Sequence, residues 1–150
     1  MEKMTAALLL HGIGDADSRP ALQQVLIDSV VTDSRKACPG SLFVAIRGER
    51  SDGHDYAAQA LAAGAALVLG QRPLAEMPGV TAQQYVQAPD VLDAMIALGG
   101  NYRAAFSPCL VGVTGSVGKT TTKEFIAAVL SAFGETVKTQ GNQNNEIGLP

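Results

Sequence analysis

The stretch at residues 113–125, VTGSVGKTTTKEF, constrains the fold of this chain more than any other part of its sequence. The short apolar run CLVGV leads into it, and the run TTTKEFIAAVLSAFG, which has the apolar spacing of a helix, begins within it. Gly115 and Gly118 allow backbone torsion angles and close approaches that side chains would obstruct. The order of apolar run, glycine loop and helix predicts a strand–loop–helix unit of an α/β fold.

This loop is suited to binding phosphate groups. The N–H groups at the start of a helix lack intrahelical partners, and the helix dipole adds partial positive charge there. The predicted ATP-binding residues are Gly115, Ser116, Val117, Gly118, Lys119, Thr120 and Thr121. Lys119 is the predicted catalytic residue because its ammonium group would reach the β- and γ-phosphates, and the Thr120 hydroxyl is the predicted Mg²⁺ ligand.

The loop departs in one respect from the most familiar phosphate-loop pattern, G-x-x-x-x-G-K-[ST]. That pattern requires a glycine at position 113, where this chain has Val113, and Gly112 lies one position too early. The match is therefore to a shorter form, T-G-S-x-G-K-T. Thr121 and Thr122 have two possible roles: they contact phosphate, or they satisfy N–H groups in the first helical turn.

Composition excludes several classes of partner. The 150-residue chain is 47% hydrophobic and 17% charged, as expected of a globular protein that buries a core. Its net charge of -3 argues against binding to nucleic acid or to an anionic membrane surface. No apolar stretch reaches about 18 residues and no basic leader precedes the run ALLL, so we expect no membrane insertion and a cytoplasmic location. Cys38 and Cys109 form no metal-binding motif, and we expect both to be buried as small apolar side chains.

The remaining sequence predicts further α/β units. Strands are predicted at residues 29–32, 41–46, 65–70 and 80–87, and again at 109–113 and 135–139. One helix is predicted over residues 56–63, with Asp55 as its N-cap and Gly64 at its end. A second helix is predicted after the cap Asp90, and a domain boundary near residues 86–90 divides the chain into residues 1–87 and 88–150.

Both helices in the second part are predicted to be amphipathic. The apolar side of the helix after Asp90 is predicted to be Val91, Leu92, Met95, Ile96 and Tyr102. The inner face of the helix after the phosphate loop is predicted to be Phe125, Ile126, Val129, Leu130 and Phe133.

Three stretches resemble one family of enzymes. The loop TGSVGKTTT is similar to that of the Mur ligases and their relatives, the folylpolyglutamate synthases. The stretch GNQNNEIGLP at residues 141–150 is similar to a signature of one member of the Mur ligases, and residues 32–65 resemble the N-terminal domain of the same enzymes. The resemblance implies a small N-terminal α/β domain that binds a UDP-sugar, followed by the start of a parallel-sheet domain that carries the phosphate loop.

The resemblance also implies an activity. It indicates an ATP-dependent amide ligase of peptidoglycan synthesis that joins D-alanyl-D-alanine to UDP-N-acetylmuramoyl-tripeptide through an acyl phosphate. ATP and Mg²⁺ are the implied cofactors. Family members have three domains, so the chain is expected to hold the first domain and the opening of the second, and to be inactive by itself.

The resemblance assigns substrate contacts to two segments. Ser34 and Arg35 would face the uridine nucleotide, and the alternative is a turn in which Asp33 bonds nearby backbone while Arg35 is solvated. Asn142, Asn144 and Asn145 would contact the substrate, and the alternative is a tight turn built from asparagine and glycine.

The sequence leaves alternatives for the role of His54 and for the function of the chain. His54 lies near the substrate or makes one structural hydrogen bond, and Glu146 is interpreted as structural or solvated. Two other functions remain: a UDP-sugar-binding module without catalysis, and another phosphate-loop ligase, such as a different Mur ligase or a folylpolyglutamate synthase-like enzyme.

Overall fold

The computed structural model describes residues 1–49 and 51–139. Its strands are β1 (Met4–Thr5), β2 (Leu26–Ile27), β3 (Ser29–Val31), β4 (Ser41–Val44), β5 (Leu67–Gly70) and β6 (Tyr85–Gln87). Its α-helices are α1 (Ala6–Leu9), α2 (Ala57–Ala62), α3 (Val91–Ala104) and α4 (Lys119–Leu130). Short 3₁₀ segments connect several of them, among them Ser34–Lys36 and Gly53–Tyr56. No helix among the described residues is long and apolar enough to cross a bilayer.

A four-stranded parallel sheet organises the first ninety or so residues. Its strand order is β3-β4-β5-β6, so that each strand pairs with the next one in sequence. Strands β1 and β2 form a separate antiparallel pair. Each of the four predicted strands at 29–32, 41–46, 65–70 and 80–87 contains an observed strand, and the α/β class with a parallel sheet is confirmed. The last prediction is too long, because residues 82–84 form a 3₁₀ turn and the strand begins at Tyr85.

Side chains of the sheet alternate between its two faces, and each face packs into a core. Leu42, Val44 and Leu69 belong to one core, which α1 and α3 help to cover. Phe43 and Val68 point into a second core, where the small side chains of α2 let its backbone pack close to the sheet. The predicted apolar side of α3 is confirmed for most of its members, but Ile96 is half exposed.

Helix α2 ends as its sequence predicts but begins differently. Gly64 has a φ of +106°, and the bonds from Gly64 N to Leu61 O and from Ala65 N to Ala60 O complete a Schellman ending. The prediction that Asp55 caps the start is wrong, because a 3₁₀ turn precedes α2 and the side chain of Asp52 accepts from the amide of His54 there. The cap of α3 is confirmed: the Asp90 carboxylate accepts from the first-turn amides of that helix.

The N-terminal segment covers the exposed edge of β6. Arg19 donates to the backbone carbonyls of Tyr85, Ala82 and Gln83. The carboxylate of Asp15 accepts from the amide of Gln87 at 3.3 Å. These contacts occupy backbone groups through which an edge strand could otherwise pair with another chain.

Residues 105–139 differ most from the sequence-based expectations. The runs at 109–113 and 135–139 are not strands. A strand needs a second strand to bond with, and residues 105–139 contain no paired strand. The predicted inner face of α4 is largely exposed, with Phe125 69% and Phe133 85% accessible. Helix α4 forms at the predicted place, but the described part of the chain supplies no layer that covers it.

The sequence also predicted buried cysteines and a division of the chain into two parts. Cys38 and Cys109 are both exposed, so the prediction of burial is wrong. The division of the chain into residues 1–87 and 88–150 stays a prediction. The structure adds that α3 shares a core with α1, although these helices lie on opposite sides of that division.

Candidate functional site

The phosphate loop has the backbone geometry that its glycines predict. Gly115 has a φ of +144° and Gly118 a φ of +81°, both in the region that side chains disfavour. Gly118 is the N-cap of α4 and contributes no side chain to that position. The first helical bond joins the amide of Thr122 to the carbonyl of Gly118, so the amides of Lys119, Thr120 and Thr121 lie before it and face outward from the first turn.

The side chains of the loop leave it open to solvent. Val117 is 90% exposed, and a side chain at Gly118 would meet no atom within 4 Å. The ammonium group of Lys119 donates to the carbonyl of Gly115 and so lies across the loop. The Thr120 hydroxyl is exposed in the first helical turn, where a hard cation bound to a triphosphate could reach it. The loop therefore has backbone amides and a lysine that fit the phosphates of ATP, and an exposed threonine that fits Mg²⁺.

A second candidate site lies at the carboxyl edge of the parallel sheet. The segments that follow β3, β4 and β5 meet there, because adjacent parallel strands end at the same side of a sheet. Ser34 and Arg35 come after β3, residues 47–52 after β4, and Gln71 with Arg72 after β5. Ligands of open α/β sheets bind at such edges.

Ser34 and Arg35 have different environments. Ser34 is buried, and its hydroxyl lies 3.5 Å from Oε1 of Gln59 in α2. Arg35 is exposed, and its guanidinium donates three hydrogen bonds to the Asp33 carboxylate, at 2.9, 3.2 and 2.7 Å. The guanidinium holds the pKa of Asp33 at about 2, well below its ordinary value of 3.8. Asp33 thus orients Arg35 at the edge of the sheet.

His54 is buried in a hydrogen-bonded cluster between two of these segments. Its Nε2 accepts from the amides of Gln71 and Arg72 at 3.0 and 3.2 Å. A ring nitrogen that accepts carries no hydrogen, so the hydrogen lies on Nδ1, which donates to Oδ1 of Asp52 at 2.5 Å. The interpretation of His54 as a residue with a single structural bond therefore understates its contacts.

Arg72 and Tyr85 complete this cluster. The guanidinium of Arg72 contacts Asp52 at 2.7 Å and Asp55 at 2.8 Å, and the hydroxyl of Tyr85 donates to the carbonyl of Arg72 at 2.6 Å. Burial raises the pKa of Tyr85 to about 12. Burial alone would also raise the pKa of Asp52, but hydrogen bonds from His54 and Arg72 lower it to about 2.

A cleft of about 380 Å³ opens beside this cluster, and its lining residues are Arg47, Asp52, His54, Gln71, Arg72, Pro73 and Glu76. Sequence reasoning missed Asp52, Arg72 and Tyr85 because their partners are distant in sequence. The only signal was the polar stretch SDGHDY, in which Asp52 precedes His54 by two residues.

Some predicted site residues are not brought together by the described structure. Asn142, Asn144, Asn145 and Glu146 lie outside the described residues.

Among residues 1–49 and 51–139, no group of three or more His, Cys, Asp or Glu side chains could hold a metal ion. The predicted Mg²⁺ ligand, Thr120, is none of these four residue types, so this finding does not bear on it.

Two family models match the chain in succession. The model described as "Mur ligase family, catalytic domain" matches residues 26–102, and the model described as "Mur ligase middle domain" matches residues 113–150. The first covers the parallel sheet and α3. The second begins at the phosphate loop.

Individual relatives agree with these matches. The chain is 48% identical over 128 residues to UDP-N-acetylmuramoyl-tripeptide--D-alanyl-D-alanine ligase of Synechocystis sp., an alignment that covers 85% of this chain and 28% of that protein. A crystal structure of MurF from Acinetobacter baumannii superposes with a TM-score of 0.81 at 35% identity, over 99% of this chain and 32% of that one.

A crystal structure of MurF ligase from Thermotoga maritima in complex with ADP gives a TM-score of 0.72 at 36% identity, over 81% of this chain and 27% of that one. The chain thus spans about a third or less of the length of each of these proteins.

Proposed function

Because the chain belongs to the Mur ligase family, we propose that it is part of an ATP-dependent amide ligase of peptidoglycan precursor synthesis. The proposed reaction joins D-alanyl-D-alanine to UDP-N-acetylmuramoyl-tripeptide. The relative from Synechocystis sp. is named for this reaction, and the MurF structure from Thermotoga maritima contains ADP. The proposal keeps the cytoplasmic location expected from the sequence.

The observation that carries the proposal is the order of two sites on one chain. The carboxyl edge of the first sheet comes first, and a phosphate loop at the start of the middle-domain match follows it. A ligase that activates a carboxylate with ATP needs a site for the UDP-linked acid and a separate site for the triphosphate. A binding module for a UDP-sugar alone would have no use for the second site.

The phosphate loop has the donors that such a reaction requires. We assign ATP binding to Gly115, Ser116, Val117, Gly118, Lys119, Thr120 and Thr121. The first-turn amides of α4 would hold the phosphates, and the Lys119 ammonium would leave the Gly115 carbonyl to offset charge on the transferring phosphoryl group. Mg²⁺, held in part by the Thr120 hydroxyl, would supply further positive charge at that group.

The substrate end of the reaction belongs to the first sheet and to the asparagine signature. We assign contacts with the UDP-linked substrate to Ser34 and Arg35, and to Asn142, Asn144 and Asn145. The terminal carboxylate of the tripeptide would be converted to an acyl phosphate, and the amine of D-alanyl-D-alanine would then displace phosphate. The dipeptide site and other catalytic groups would lie in the two thirds of the relatives' length that this chain does not span.

Separate titrations of the chain with UDP and with Mg-ATP test this division. We expect each nucleotide to bind and no ATP to be hydrolysed. Steady ATP turnover by residues 1–150 would contradict the claim that catalytic groups lie elsewhere. Binding of UDP without any binding of ATP would instead favour the module without catalysis.

For the full-length protein, the deciding assay is phosphate release in the presence of both substrates. Release should require UDP-N-acetylmuramoyl-tripeptide and D-alanyl-D-alanine together, and Lys119→Ala should abolish it. Release that depends on a different amino acid or on a folate would favour another ligase of the same superfamily.

A further inference from the structure

His54 connects two segments of the carboxyl edge that are otherwise separate in sequence. Its ring accepts from the amides of Gln71 and Arg72, directly after β5, while its own backbone lies directly after the loop of residues 47–52. The ring is almost fully buried, with 1% of its side chain exposed. The acceptor that the two amides share is therefore removed from water, and its loss would leave them without that partner.

The loop of residues 47–52 is closed at its base by backbone contacts. Arg47 and Asp52 form an isolated antiparallel bridge, and the amide of Gly53 donates to the carbonyl of Ile46 at 2.8 Å. Asp52 accepts from both the amide and the ring of His54. The position of Asp52 relative to the end of β5 therefore depends on where the His54 ring is held, together with the ion pair between Asp52 and Arg72.

The same residue also affects the neighbourhood of Ser34. The 3₁₀ turn Gly53–Tyr56 leads without interruption into α2, and Oε1 of Gln59 in that helix lies 3.5 Å from the Ser34 hydroxyl. Displacement of His54 would move the loop and the first turn of α2 together. Helix α2 contacts the 3₁₀ turn Ser34–Lys36, which carries two of the residues assigned to the UDP-linked substrate.

We infer that His54 is a positioning residue, which ties Asp52 and the 3₁₀ turn Gly53–Tyr56 to the end of β5 so that the carboxyl edge is preformed for the UDP-linked substrate. This inference rests on the proposed function. The part of His54 that matters is the acceptor at Nε2, because this buried atom binds the backbone amides of Gln71 and Arg72, whereas the ion pairs of Arg72 with Asp52 and Asp55 join side chains only.

Three substitutions separate the roles of the ring. His54→Leu fills a similar volume and removes both polar atoms. His54→Asn keeps a donor for Asp52 but is too short to reach the amides after β5. His54→Gln places a side-chain oxygen near the position of Nε2 and so keeps the acceptor. The matched control is His11→Leu, because the side chain of His11 is exposed and, among the described residues, its ring bonds only Asp17 in its own segment.

The test is calorimetric titration of each variant of the chain with UDP-N-acetylmuramoyl-tripeptide, at a temperature where circular dichroism shows every variant folded. We expect the Kd to rise about tenfold or more for His54→Leu and His54→Asn, as loss of a buried acceptor with two donors implies. We expect His54→Gln to stay within about threefold of the unsubstituted chain and the His11 control to match it. If His54→Leu does not fold, the comparison of the Asn and Gln variants decides the same point.

The outcomes separate the inference from the proposed function. Unchanged affinity in folded His54→Asn, or equal losses in the Asn and Gln variants, would overturn the positioning role and leave the proposed function intact. A purely structural role would lower the melting temperature without changing the Kd of the folded protein, and so would also overturn it. Failure of the unsubstituted chain to bind the UDP-linked substrate would overturn both.

Discussion

Gly70 lies where the sheet approaches the His54 cluster most closely. A side-chain carbon at this position would lie 2.7 Å from Nε2 of His54 and 2.8 Å from the hydroxyl of Tyr85. Real carbon atoms do not approach so closely, so Gly70→Ala must displace one or both groups. Neither can move freely, because both are buried and hydrogen-bonded.

The expected loss of stability follows from the bonds at stake. The two amide bonds to His54 and the bond from Tyr85 to the carbonyl of Arg72 are each worth about 1 kcal/mol. Overpacking of a buried site adds about 1–3 kcal/mol. We allow for partial relaxation and predict that Gly70→Ala lowers the free energy of unfolding by at least about 3 kcal/mol. At about 2–4 °C per kcal/mol for a chain of this length, the melting temperature would fall by about 6–12 °C or more.

Urea denaturation followed by circular dichroism and tyrosine fluorescence measures this loss. The chain has no Trp, so buried Tyr85 contributes directly to the fluorescence signal. Gly100→Ala is the matched control, because Gly100 is an exposed residue of α3 and a side chain there meets no atom within 4 Å. The control should stabilise the protein by about 0.5–1 kcal/mol through helix propensity. A Gly70→Ala stability within about 0.5 kcal/mol of the unsubstituted chain would refute the described packing.

Four further predictions concern single side chains. Asp90→Ala should lower the free energy of unfolding by about 1 kcal/mol in the same urea assay, because the carboxylate caps α3 through the amides of Leu92 and Asp93; no change would contradict that cap. Because the pKa of Asp52 is about 2 in the folded protein and 3.8 ordinarily, its contribution to stability is present above about pH 4 and lost as the pH falls towards 2. Acid titration should therefore show a shallower loss of stability over this window in Asp52→Asn, and an unaltered slope would contradict the assignment. Arg35→Ala should weaken binding of UDP in calorimetry without affecting binding of Mg-ADP. Lys119→Ala should have the converse effect, and equal effects of either substitution on both nucleotides would contradict separate sites.

Much of the first sheet could be predicted from sequence because its signals are local. The runs SLFVAI and AALVLG carry the apolar continuity of strands buried on both faces, and they form β4 and β5. Gly64 and Asp90 mark helix boundaries through interactions within a few residues, and both predictions hold.

The first 27 residues could not be predicted in this way. Their elements are short, and contacts such as those of Arg19 with the start of β6 join residues far apart in sequence. The cluster around His54 was missed for the same reason, since Arg72 follows β5 and Tyr85 lies in β6.

The errors in the second part arise from the dependence of secondary structure on a partner. The apolar spacing of α4 correctly predicts a helix, because helical bonds form within the segment itself. The run CLVGV forms no strand, because strand bonds need a second segment that the described residues do not supply. For the same reason Phe125 and Phe133 are exposed although their spacing predicts an inner face.

The most direct test of the two-site account is an amide NMR titration of the ¹⁵N-labelled chain with Mg-ADP and, separately, with UDP. The account predicts that Mg-ADP shifts the amide signals of residues 115–121 and leaves those of Ser34 and Arg35 in place, while UDP does the reverse. Shifts from both nucleotides at the same set of amides, or no shift at residues 115–121 with saturating Mg-ADP, would contradict it.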